Sequence, residues 1–143
     1  MAVIESGLII NGIPLIRSEY YLIEKNVDPF IKTSLFTAIQ TFASNVFGEE
    51  AEEMRFKKYI IVIKKLNPDM IQQYLLYMII ERGTDVQEVK KRLNNLMKKI
   101  NLEELPIDNP LITNEIKELK KIIDKEIRDL VLKPADRAKF IFG

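Results

Sequence analysis

The chain has 143 residues, 47% of them hydrophobic and 30% charged, with a formal net charge of +1. That length and mix suit one globular domain with a sizeable core, and so small a charge gives no field that would draw nucleic acid or an anionic membrane to the whole molecule. Neither Cys nor His is present, which excludes disulfides, thiolate metal sites, the commonest general base and the commonest transition-metal ligand.

In chain order, Leu8-Ile9-Ile10, Asn11-Gly12 and Ile13-Pro14-Leu15-Ile16 predict a β-hairpin. Asn-Gly supplies the two positive-φ residues of a tight turn. Pro14 cannot donate to a ladder, so its strand is expected at an edge or at a bulge, with Arg17 to Tyr21 as a possible continuation. Residues 1–12 lack a basic n-region and Glu5 interrupts their apolar run, so no signal peptide is expected.

After a link at Glu24–Val27, Asp28-Pro29 reads as a helix start, with Asp as N-cap and Pro at N1, and Gly48 as its C-terminal stop. Ile31, Leu35, Ala38, Ile39, Phe42 and Val46 form one apolar face of this helix. Phe36, Ala43 and Phe47 form a second apolar line about 100° further round. Lys32 is the only charge between Pro29 and Gly48. A helix solvated on its back normally carries Lys and Glu there, so burial on more than one side is expected, with function on the second line.

The run Glu49, Glu50, Glu52 and Glu53 reads as a solvated loop. Met54–Phe56 and Tyr59–Ile63 follow as two strands turning at Lys57-Lys58, or as one long strand; the second is apolar without alternation, as in a strand covered on both faces. Asn67-Pro68-Asp69 is a turn cluster. Within 70–81, Tyr74–Ile80 has no polar face, and its length and two Tyr favour a central strand over a helix. It is also the longest apolar run, far short of the roughly 20 residues that cross a bilayer. A cytoplasmic protein is expected, reaching membranes only through partners.

Thr84 with Gln87 fits a capping box, opening a helix with Val86, Val89, Leu93, Leu96 and Ile100 on one stripe and five bases, Lys90, Lys91, Arg92, Lys98 and Lys99, off it. Pro106 and Pro110 bracket a polar linker. A last helix runs from about Thr113 to Leu132, with Ile116, Leu119, Ile123, Ile127 and Leu130 inward, stopped by Pro134. Phe140-Ile141-Phe142 is a terminal apolar tag. The order is β-β-α-β-β-β-α-α.

Gly7-Leu8-Ile9-Ile10 through Ile13-Pro14-Leu15, then Asp28-Pro29, Phe42-Ala43, Phe47-Gly48, Met54-Arg55-Phe56 and Tyr59–Val62 resemble the longin fold and its roadblock-like relatives, closer to archaeal longin-like proteins than to roadblock proteins that open on a helix. The resemblance covers Gly7 to about Ile100. It implies an α+β fold, longin- or profilin-like: a five-stranded antiparallel sheet with one helix on one face and two on the other. It also implies a single domain over 1–143, with its core in 1–101 and a linker and helix in 102–143. Family members dimerise, scaffold trafficking complexes and contact small GTPases. A fusion role is not expected without a membrane anchor and a SNARE-like segment.

Catalysis finds little to build on. Ser6, Ser18, Ser34 and Ser44 have no accompanying base motif, and five scattered glycines make no phosphate-cradling loop or dinucleotide fingerprint. No catalytic residue, cofactor or metal is expected. A non-catalytic interaction module is, with Phe36, Gln40, Ala43 and Phe47 on the helix and Met54 and Phe56 at a sheet edge as its interface. Such a flank and edge can pair two copies, or a copy with a related longin- or roadblock-like subunit, across a two-fold, leaving a small GTPase as a further partner. The other interpretation packs Phe36 and Phe47 under Phe140–Phe142 or the 106–110 linker. An alternative function uses the Lys-rich 90–99 helix on a membrane surface or nucleic acid, although nucleic acid is not the expected partner.

Overall fold

A computed structural model describes residues 2–21, 28–66, 73–100 and 114–131. The elements are β1 (Val3–Ile10), β2 (Ile13–Glu19), α1 (Pro29–Phe47), β3 (Glu53–Arg55), β4 (Tyr59–Leu66), β5 (Tyr74–Glu81), α2 (Val86–Lys99) and α3 (Asn114–Val131). The strands form one antiparallel sheet in the order β2-β1-β5-β4-β3. The expected order and class hold, and 74–81 is the central strand. The Glu24–Val27 link, the 67–69 turn, the 106–110 linker, Pro134 and the Phe140–Phe142 tag lie outside the described residues.

Alternation resolves the long apolar runs. Ile60, Val62, Leu76, Met78 and Ile80 point to one face with Val89, Leu93, Leu96, Leu119, Ile123 and Ile127 of α2 and α3. Ile61, Ile63, Leu75, Tyr77 and Ile79 point to the other, where Phe36 of α1 meets them. One helix therefore covers one face and two cover the other, so strands buried on both sides need no polar alternation.

The local signals act as their chemistry dictates. Asn11 and Gly12 both take positive φ at the hairpin tip. The β1–β2 register slips between Leu8 and Ile9 beside Pro14, and β2 is an edge strand, so the proline costs no interior ladder bond. Asp28 accepts from the Phe30 N–H at 2.9 Å, and left-handed Gly48 closes the far end of α1.

Two boundaries differ from expectation. The N-cap of α2 is Asp85, whose Oδ1 accepts from the Gln87 and Glu88 N–H groups, so Thr84 lies outside the helix. An ionised carboxylate outcompetes the neighbouring hydroxyl for the free N–H groups. Strand β1 starts at Val3 and carries Glu5 and Ser6 inside, because polar partners beneath the helices satisfy them.

Candidate protein interface

The outer surface of α1 begins with what anchors the inner one. Glu5, on β1, is fully buried. Its carboxylate accepts from the Tyr77 hydroxyl at 2.7 Å and from Lys32 Nζ at 3.0 Å, with Arg17 Nε at 3.6 Å. Lys32, the lone charge of α1, is thus spent inward. Thr33 Oγ1 donates to the Gly12 carbonyl at 2.7 Å, tying the helix to the hairpin tip. Gln40 Oε1 accepts from the Ala51 N–H at 2.6 Å, tying its later half to the approach to β3. Between these polar attachments Phe36, only 2% exposed, packs on Tyr77 with ring centroids 5.2 Å apart.

The consequence inverts the expected orientation. Thr33, Phe36 and Gln40 are the buried residues of α1, whereas Ile31, Leu35, Phe42 and Val46 of the richer apolar stripe are more than half exposed. Phe30 and Phe47 join them, the latter 67% exposed and edge-on to Phe42 at 6.0 Å. At 100° per residue the stripe is centred roughly 140° from the buried face. Burying a carboxylate demands compensating donors, so Glu5 selects the polar side of α1 and turns the greasier side outward.

The expected interface residues therefore divide. Phe36 and Gln40 are internal, held by Tyr77 and Ala51. Ala43 is half-buried at the margin. Phe47 is open to solvent, as is Phe56 at the sheet edge, and Met54 is half-buried against the Phe36 cluster. Ile31, Leu35, Phe42 and Val46 are legible in the sequence as a face but not as the exposed one. The signal for them was Glu5 within an apolar strand together with a single Lys on the helix.

The remaining surface has less to offer chemically. Lys90 pairs with Glu52 and Glu53, Arg92 with Glu88 and Asp129, and Lys99 with Glu126, so much of the basic stripe of α2 is neutralised within the molecule. A small open cleft lined by Glu50, Glu52, Lys64, Lys90 and Asn94 mixes both charges. Tyr20 bridges Ser6 at 2.9 Å and Asp124 at 2.5 Å, joining β1 to α3; burial first, then Asp124, pushes its phenol well above the usual value. Among the described residues no three metal-ligating side chains cluster, and no helix is long and apolar enough to cross a membrane.

No protein-family model and no curated protein matches the chain. A solved structure of the gliding protein MglB from Thermus thermophilus is similar, with TM-score 0.50 and 14% identity, covering 86% of this chain and 79% of that one. A second MglB structure, described as a tetrameric arrangement, aligns with TM-score 0.47 and 16% identity over 87% of this chain and 79% of its own. Strand order, helix placement and the first of these matches together identify the architecture as a longin/roadblock-like fold.

Proposed function

We propose that the protein is a non-catalytic interaction module that self-associates through the outer face of α1 and the β3 edge, and so acts as a scaffold or regulator. The observation that carries this reading is the charge-free apolar stripe on α1, from Ile31 to Val46, facing solvent. An exposed patch of that kind calls for a covering surface. A second copy suits it because a charge-free stripe sets no like charges against each other across a two-fold axis. The β3 edge adjoins it: Gln40 holds Ala51, and Met54 packs into the cluster beneath the helix.

The fold adds a small GTPase as the client of such a dimer, by analogy with longin and roadblock proteins, in a trafficking-type or comparable assembly. A related subunit in place of the second copy is the nearest variant of the scheme. The Lys-rich helix is a weaker candidate surface for anionic lipid or nucleic acid, since Lys90, Arg92 and Lys99 already have acidic partners.

The test is Leu35→Glu with Phe42→Glu. Both side chains are exposed, so the double variant should melt cooperatively near the parent temperature while its solution mass falls to that of a monomer. Loss of the cooperative melt would place the stripe in the core and end this reading. Affinity purification from the native organism should recover a small GTPase with the parent protein; its absence while the dimer persists would remove the GTPase role alone.

A further inference from the structure

Strand β3 is short enough that its pairing with a second copy can be worked out. Glu52 O accepts from the Ile63 N–H and the Phe56 N–H donates to Tyr59 O. Antiparallel bonding alternates, so Glu52, Met54 and Phe56 turn their backbone groups toward β4, and Glu53 and Arg55 turn theirs to the open edge. Two antiparallel copies can only oppose outward residues to outward residues. The possible two-fold axes within β3 therefore pass at Glu53, Met54 or Arg55.

The geometry points to the register centred on Met54. There both outward residues of each strand enter bonded pairs, Glu53 facing Arg55 of the second copy and Arg55 facing its Glu53. An axis at Glu53 or at Arg55 bonds one pair only and sets like charges directly opposite, which is destabilising. The side chains agree. Glu53 and Arg55 share the sheet face of α2, where Lys90 Nζ lies 3.7 Å from Glu53. Within one copy Arg55 Nη2 is 3.2 Å from Glu53 Oε2, but that oxygen makes no hydrogen bond and has capacity for a better-aligned donor. Met54 points to the α1 face, so on the axis two Met54 side chains meet as an unbonded, closely spaced apolar pair flanked by exposed Phe56. The two sheets then run on as one, with the α1 stripes on a common face. The Glu53–Arg55 exchange makes a second copy of this chain the occupant that fits the edge. This inference rests on the dimer proposed above and adds its register.

Cysteine substitution reads the register directly, since the chain has no Cys of its own. Under mild oxidation Met54→Cys should crosslink to a covalent dimer, because facing unbonded residues sit about 4.5 Å apart at Cα, within disulfide reach. Glu53→Cys and Arg55→Cys should crosslink poorly alone and well when mixed. Independently, Glu53→Arg and Arg55→Glu should each raise the dimer dissociation constant, by roughly tenfold. Mixing the two single variants, or combining both changes in one chain, should restore it. Faster self-crosslinking of Glu53→Cys or Arg55→Cys than of Met54→Cys would overturn the register. A dimer by light scattering with no crosslink and no charge effect would overturn strand pairing while leaving the α1 interface standing. A monomeric parent protein would overturn both.

Discussion

Glu5 holds the molecule's orientation at the scale of single residues. It is a buried carboxylate with the Tyr77 hydroxyl, Lys32 and Arg17 around it, and it sets which side of α1 meets the sheet. Removing one partner of a buried ion pair costs about 3–5 kcal/mol because the other charge is left uncompensated. Glu5→Ala should therefore destabilise by that order in a denaturant titration, and Lys32→Met with Glu5→Met should recover much of it. The Tyr77 phenol is pushed far above its ordinary value, first by burial and then by the Glu5 charge and hydrogen bond. A raised folded value means its contribution is complete below the unfolded pKa of about 10 and is lost as pH rises beyond it. Tyr77→Phe should flatten the alkaline limb of the stability curve while lowering neutral stability by roughly 1–3 kcal/mol. Gly7 is required by the same packing for a different reason. A Cβ there would lie 2.5 Å from Tyr77 Cε1 and 2.6 Å from the Ile16 carbonyl. Gly7→Ala should thus cost about 1–3 kcal/mol through overpacking.

Among the elements, α2 and α3 behave as amphipathic helices should, and α1 does not. Their stripes at Val89, Leu93 and Leu96 and at Leu119, Ile123 and Ile127 are buried as the periodicity predicts. Arg92 locks them together: Nη1 donates to the Glu126 carbonyl, and the fork takes both oxygens of Asp129 at 2.8 and 3.0 Å. Burial alone would raise the Glu126 carboxyl, but hydrogen bonds from Lys99 and Asn95 and the Lys99 and Arg92 charges outweigh it and hold it below its ordinary value. The sign follows: this stability is present above the unfolded pKa of about 4.5 and is lost as pH falls through the lower folded value. Glu126→Gln should thus melt earlier than the parent at about pH 7, with the gap narrowing as the solution is acidified below the ordinary carboxylate range.

Much of this architecture was legible in the chain because it rests on local chemistry: Asn11-Gly12 for the hairpin, Asp28-Pro29 and Gly48 for the ends of α1, and unbroken Tyr74–Ile80 for the central strand. The facing of α1 was not. Periodicity assigns the most apolar side to the core, but the facing of α1 is set by long-range polar partners, Glu5 on β1 and Gly12 at the hairpin tip. Those contacts join residues that no local window contains. The cap of α2 is a local matter instead: Asp85, one residue after the expected Thr84, accepts from the Gln87 and Glu88 N–H groups.

For the whole molecule, α1 is a helix of two unequal faces, one pinned to its own sheet and one, on the proposed reading, reserved for another copy. An interface of that kind resembles a core cut in half, and its energy should concentrate in a few large side chains near its centre, with Phe42 foremost. Phe42→Ala should weaken association by about 2 kcal/mol or more with little effect on the melt of the dissociated chain. The most direct measurement is the solution mass of the parent protein by light scattering through a micromolar dilution series, run beside the Leu35→Glu, Phe42→Glu double variant. A parent that holds twice the chain mass and a double variant that is a folded monomer is the predicted result. A parent that is monomeric throughout would contradict the central claim.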